Sequence, residues 1–195
     1  MNKKWTYIIL LIFIVVISCV LISPFMSNVE QPKYQVISSQ ENIDIRKYDS
    51  MVIAEVEIQA ERKEAIKGGF KILADYIFGN NKSKENISMT APVRQQKVQE
   101  NWQISFIMPS EYNIKTLPKP ANKNINIKTV TDKKYIVINF SGRNSDQNIK
   151  LHEKKIKKYI AENEIQILST PIYAFYNPPW TLPFLRHNEI MMEIN

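Results

Sequence analysis

The sequence predicts an α+β fold: a distorted antiparallel β-barrel built from two similar β-rich halves, flanked by two α-helices and preceded by a transmembrane helix. Three observations carry this expectation. Short stretches of alternating apolar and polar residues recur along the chain, as half-buried strands require. Two longer stretches, Glu61 to Phe78 and Ser145 to about Glu162, switch to the helical period. The pattern also repeats, because Ile43-Asp44-Ile45-Arg46 and Ile125-Asn126-Ile127-Lys128 lie 82 residues apart, each followed by a polar turn, an apolar strand and an amphipathic helix. The later parts of the halves correspond too, with Ala91-Pro92 before the Trp102 strand and Pro178-Pro179 before the Glu189 strand. Two such units bury their apolar faces in one antiparallel sheet curling toward a barrel, with both helices outside it.

In chain order, Lys3 and Lys4 precede 18 uncharged, mostly apolar residues, Trp5 to Ile22. That is about the minimum length that spans a hydrocarbon core and exceeds a usual signal-peptide apolar region. Residues 1–23 are therefore read as a membrane anchor or signal segment, 24–33 as a linker and 34–195 as the folded domain. The two lysines stay cytoplasmic, which places the domain on the extracytoplasmic side, periplasmic or cell-surface in a bacterium. Val16-Ile17-Ser18-Cys19 has the character of a lipoprotein cleavage box, and cleavage near Ser27 is a third reading. Cys19 is the only cysteine, so the domain holds no internal disulfide and no multi-cysteine metal site.

Strands are expected at Tyr34 to Ile37, Ile43 to Tyr48, Met51 to Ile58, Ile87 to Val93, Trp102 to Met108, Ile125 to Val130, Tyr135 to Phe140, Ile172 to Tyr176 and Glu189 to Ile194. On the first helix Ile66, Phe70, Leu73 and Ile77 form one stripe, and Gly79 ends it just past the last apolar turn. Gly68 and Gly69 inside that helix cost on the order of 2 kcal/mol relative to alanine, so a close neighbour is expected there, either a strand or a flat ligand. Ser145 is placed to cap the second helix, which buries Ile149, Ile156, Tyr159 and Ile160. Its outer face carries Lys150, Lys154, Lys155, Lys157 and Lys158, either a solvated face or a contact for anionic headgroups.

Near the C-terminus Pro178, Pro179 and Pro183 each fix φ and remove a donor, which makes the loop from Asn177 to Glu189 stiff. Trp180, Leu182, Phe184 and Leu185 are apolar enough to be expected to roof something, either the core or a ligand.

Catalytic motifs are sparse. His152 and His187 are the only histidines, and there is neither an HExxH spacing nor a glycine-rich phosphate loop, which argues against metal and acyl-transfer chemistry. Without the two N-terminal lysines the chain carries 24 basic and 19 acidic residues. That mild excess comes without the arginine-rich or aromatic-interleaved stripe that nucleic-acid binding would need. Glu189 is the best single acid for general acid–base work, its other reading being a hydrogen-bond anchor at the start of the last strand.

The run Tyr176-Asn177-Pro178-Pro179-Trp180-Thr181-Leu182-Pro183-Phe184 with Arg186-His187-Asn188-Glu189-Ile190 resembles the C-terminal signature of the SOUL/heme-binding protein family. Gly69 to Ala74 leading into Tyr76 to Asn81, and Ile87-Ser88-Met89-Thr90-Ala91-Pro92-Val93, agree with it. The resemblance covers roughly Tyr34 to Ile194 and implies the same barrel flanked by two helices. It also implies that heme or a related tetrapyrrole lies in an apolar groove beside the first helix, held by burial more than by a strong axial ligand. The matching positions are Lys67, Phe70, Leu73, Ala74 and Ile77, with Lys67 able to meet a propionate and Trp180 as a wall. Some family members have a proposed histidine ligand, but the first half of this domain has no histidine. Met89 is a possible soft iron ligand or a strand-entry residue. The expected function is a membrane-tethered tetrapyrrole-binding protein, a non-catalytic carrier or buffer. The alternatives are a protein-interaction or effector-sensing module using the same apolar surface, and a small hydrolase acting through Glu189.

Overall fold

The computed structural model describes Trp5, Tyr7, Ile8 and residues 29–195. The remainder of the expected anchor and residues 24–28 of the linker lie outside the described residues. Among those described, no helix is long and apolar enough to cross a membrane. The elements run β1 (Tyr34–Gln40), β2 (Ile43–Tyr48), β3 (Met51–Ile58), α1 (Arg62–Ile77), β4 (Val93–Val98), β5 (Asn101–Ile107), β6 (Asn126–Val130), β7 (Lys134–Phe140), α2 (Asp146–Glu162), β8 (Ile172–Phe175), a 3-10 turn (Pro183–Leu185) and β9 (Asn188–Ile194).

The strands form one sheet in the order β1-β2-β7-β9-β8-β4-β5-β3-β6, with every neighbouring pair antiparallel. The expected duplication is built into that order. Exchanging β2, β3, β4 and β5 with β6, β7, β8 and β9 reverses the eight-strand order, with the pseudo-twofold between β8 and β4. Each half gives its first strand to the other, so β2 pairs with β7 and β6 with β3. Neither half can therefore complete its sheet alone.

The sheet curls into a half-barrel; β1 and β6 remain as separate edges, so the expected barrel does not close. Closure is not needed to bury the inner side chains. Both helices cover one face, where α1 packs on Val52, Ala54, Val56, Ile104 and Phe106, and α2 packs on Ile136, Ile138, Ile190 and Met192. The helix-free face buries a third cluster around Tyr48, Tyr135, Val137, Ala174, Tyr176 and Met191, with Val29 and Met51 against it. A register irregularity between Val36 and Ser38 interrupts the β1 edge, a common way of blunting an exposed strand.

The buried stripe of α1 is Ala65, Gly69, Leu73, Tyr76 and Ile77, rotated away from the expected line through Phe70. Gly69 explains the rotation. A Cβ there would lie 2.9 Å from three carbons of Ile104 on β5, so the helix meets the sheet along its glycine side. At Gly68 the nearest atom to a Cβ would be Ile58 Cδ1 at 3.1 Å. The neighbour that the two glycines admit is the sheet.

The strand expected over Ile87 to Val93 is displaced to Val93–Val98. Pro92 has no N–H to give to a ladder, so pairing starts after it. The preceding segment instead docks through Ile87 N–H to Ile77 O (2.8 Å) and Thr90 Oγ1 to Ile107 O (2.5 Å). The Ala91–Pro92 peptide bond is cis. The long connection before β6 is tied down by Tyr76, whose hydroxyl donates to Pro118 O at 2.7 Å. Gly79 leaves α1 with φ 106°, and Ser145 Oγ accepts from Asn148 N–H at the start of α2, both as expected.

Candidate functional site

The first-helix residues divide between two stripes. Leu73 and Ile77 are buried against the sheet and belong to the core. Lys67, Phe70 and Ala74 lie on the adjoining stripe at i, i+3 and i+7, which Phe78 extends by a further turn. Phe70 is 46% exposed, and one edge of its ring meets Phe106 at 5.4 Å between centroids. Ala74 is half-buried, while Phe78 and Lys67 are exposed. Lys67 takes part in none of the ion pairs among the described residues. The flank is thus an apolar strip with a free cation at its N-terminal end.

The proline-rich loop is stiff, but its aromatic side chains do not roof the core. Trp180 is 67% exposed, and Phe184 and Leu185 are exposed beside it. The loop is held by its own polar frame instead. Arg186 Nε donates to Thr181 O at 2.8 Å and Nη2 donates to Pro179 O; Gly142 N–H reaches Pro183 O at 2.8 Å, and His187 N–H donates to Asn177 Oδ1 at 2.6 Å. With the loop fixed by these bonds, Trp180 contributes little burial and presents a ring to the outside.

Neither histidine stands on the α1 flank. His152 stacks on Phe140 at 4.3 Å, its Nδ1 2.8 Å from Asn148 O on α2. His187 stacks on Tyr176 at 4.1 Å, with Nε2 2.9 Å from Glu189 Oε1. Met89 is exposed. Among the described residues no group of three or more His, Cys, Asp or Glu side chains could hold a metal ion. On α2 the lysine face is partly neutralised, by Lys157–Glu153 at 2.5 Å and Lys158–Glu162 at 3.5 Å.

Glu189 lies on the helix-free face at 0% exposure, inside a charge network. Its Oε1 accepts from Arg46 Nη1 at 2.8 Å and its Oε2 from the Tyr176 hydroxyl at 2.7 Å. Turned so that its carbonyl oxygen accepts from Arg46 Nη2 (2.8 Å), the Asn139 amide donates to Glu189 Oε1 at 2.9 Å. Arg46 also donates to Asp44 Oδ2 from Nε (2.9 Å) and Nη2 (2.6 Å), and its guanidinium lies 4.3 Å from the Tyr34 ring centroid. Burial alone would raise the Glu189 carboxyl, but the His187 hydrogen bond and the Arg46 charge outweigh it and hold the group below its ordinary value. Burial and the Glu189 charge push the Tyr176 hydroxyl well above the ordinary phenol value. A carboxylate with both oxygens bonded and no exposed surface has no open position for a substrate proton. Its evident work is to tie β2, β7 and β9 together. Arg46 and Tyr176 were missed in the sequence, although Asp44, Arg46 and Tyr48 share one face of β2 by simple alternation.

Clefts also lie elsewhere, two of them on the strands and loops away from both helices. One of about 420 Å³ sits between residues 30–33, the turn after Tyr48 and the segment 107–114. The other, of about 270 Å³, opens on the helix-free face beside Arg94.

Residues 29–193 match the SOUL heme-binding protein family. No curated protein matches the chain. Among solved structures, the EcmrR C-terminal domain is similar at TM-score 0.62 and 9% identity, over 83% of this chain and 98% of that one. A hydrolase from Listeria innocua is similar at TM-score 0.55 and 8% identity, over 82% and 94%. At such identities these likenesses establish the shared fold alone. The family match spans the two-helix half-barrel, the α1 flank and the proline-rich loop, and on that extent the chain belongs to the SOUL heme-binding protein family.

Proposed function

We propose that this domain binds heme or a related tetrapyrrole on the outer flank of α1, as a non-catalytic carrier or buffer tethered to the extracytoplasmic face of a membrane. The observation that carries the reading is the stripe of exposed Lys67, Phe70 and Phe78 with half-buried Ala74 between them, which an apolar macrocycle with acidic side chains fits. Phe70 and Phe78 would lose water contact, worth about 25 cal/mol per Å² covered. Lys67 would meet a propionate with a charge-assisted hydrogen bond. Trp180 supplies an exposed aromatic wall, and Leu73 and Ile77 back the flank from the core side. Bound heme would supply an iron centre, yet the stripe offers no histidine to it, so affinity rests on burial and charge. The tether rests on Lys3, Lys4 and the apolar run that follows.

The test is a hemin titration of the full chain in detergent, followed in the Soret band. Saturable binding is expected, weakened by Phe70→Ser. Replacing His152 and His187 together by alanine should cost less than tenfold, under about 1.4 kcal/mol. Absence of saturation would overturn the reading and turn attention to a protein partner for the same apolar flank.

A further inference from the structure

We infer that the helix-free face carries a second ligand site, an oxyanion pocket centred on Arg94 that takes the carboxylate or phosphate of a small organic anion. Arg94 is 8% exposed and lines the 270 Å³ cleft. Its Nε is buried without a hydrogen-bond partner, and the side chain enters none of the ion pairs among the described residues. A guanidinium cannot shed its proton to escape this situation. A buried charge without a counter-charge is costly, and its planar fork of donors matches a carboxylate or phosphate.

The sheet register shows why nothing among the described residues satisfies it. Arg94 is flanked in register by Ser105 on β5 and Ala174 on β8, two small residues that leave the space above it open. The next residues outward are Glu55 and Glu189, two strand spacings or about 10 Å away on either side. Both are already engaged, Glu55 by Lys128 at 2.8 Å and Glu189 by Arg46. Lys133, also on the cleft wall, is matched by Glu193 at 2.6 Å. The cleft therefore keeps one uncompensated positive charge, that of Arg94. Gln96 and Gln103 line it with amides whose N–H groups are already given to Thr170 and Glu57, which leaves Arg94 as the donor for an anion, while Ile53 and Ile172 supply apolar wall. At about 270 Å³ the cleft suits a small anion and is below the usual range for a drug-sized ligand. It lies on the opposite side of the sheet from α1, so it is independent of tetrapyrrole binding.

The full chain would be melted against rising inorganic phosphate and, separately, against rising benzoate, with chloride at matched ionic strength as the reference. A saturable rise in Tm with either anion is expected, and the arm that responds says whether phosphate or carboxylate is preferred. Arg94→Gln should weaken that response at least tenfold, while Lys63→Gln, on the exposed surface of α1, should respond like the wild type. Arg94→Met should melt no lower than the wild type without added anion, since no internal bond is lost. No saturable response to either anion, an undiminished response in Arg94→Gln, or failure of Arg94→Met to fold would each overturn the assignment.

Discussion

Glu189→Gln tests whether the buried charge network holds the sheet together. The substitution keeps the shape and one acceptor but leaves Arg46 facing a neutral amide. Removing one partner of a buried pair costs about 3–5 kcal/mol, because the other charge stays buried without its counter-charge. Arg46 keeps Asp44 at 2.6 Å, a partly exposed carboxylate, so the loss should fall at the low end, about 3 kcal/mol. Urea unfolding of the full chain at fixed detergent would measure it. The pH dependence has a definite sign. The folded carboxyl of Glu189 lies below its unfolded value of about 4.3, so its contribution is present above that value and is lost as pH falls through the folded one. Asp44 is lowered too, with burial opposing and Ser39 and Arg46 prevailing, and it acts with the same sign. The Gln variant should therefore keep an acid limb that is shallower than the wild type's. A loss under about 1 kcal/mol, the range of a solvent-exposed pair, would refute the network's role.

Gly69→Ala gains about 1 kcal/mol of helix propensity but forces a methyl to 2.9 Å from the Ile104 Cβ, which no side-chain rotation can move. Overpacking of about 1–3 kcal/mol should win, whereas Gly68→Ala meets only the mobile tip of Ile58 and should be neutral or stabilising; a Gly69→Ala variant more stable than wild type in urea melts would contradict this. Trp180→Ala should cost less than about 1 kcal/mol of stability, since the ring is mostly solvent-facing, and should lower hemin affinity in the same titration. A loss of 3 kcal/mol or more, by about the measure of a buried aromatic truncation, would place that ring in the core after all. A reporter fused after Asn195 should be active only outside the cytoplasm, and cytoplasmic activity would refute the tether.

Most of the fold was legible because period and repetition are local properties of a sequence. Alternation located β2, β3, β5 and β7 closely, and the 82-residue repeat anticipated a two-part sheet with two helices. The exchange of first strands between the halves was not legible, since β2 and β6 have similar patterns and nothing local says which half each one joins. The phase of α1 was misread for a related reason. Phe70 is the more apolar residue, but Gly69 admits the backbone closer to Ile104, and close packing outweighs the hydrophobicity of a side chain. The strand entry at Pro92 could have been placed correctly from the missing N–H alone.

Charged sites were harder to see, because alternation assigns polar residues to a solvated face and this sheet has none over much of its helix-free side. One signal was present. The chain uses 21 lysines and only five arginines, so an arginine here marks a position where lysine's point charge would not serve. Arg46 reaches Asp44 and Glu189 together; Arg62 bridges Asp146 and Gln95; Arg186 spans two carbonyls of the proline-rich loop. Arg143 is exposed. Three of the five thus use their fork on two groups of the chain itself. Arg94 is buried like Arg46 but has no hydrogen-bond or ion-pair partner among the described residues, which is the physical reason to look for its partner among molecules outside the chain.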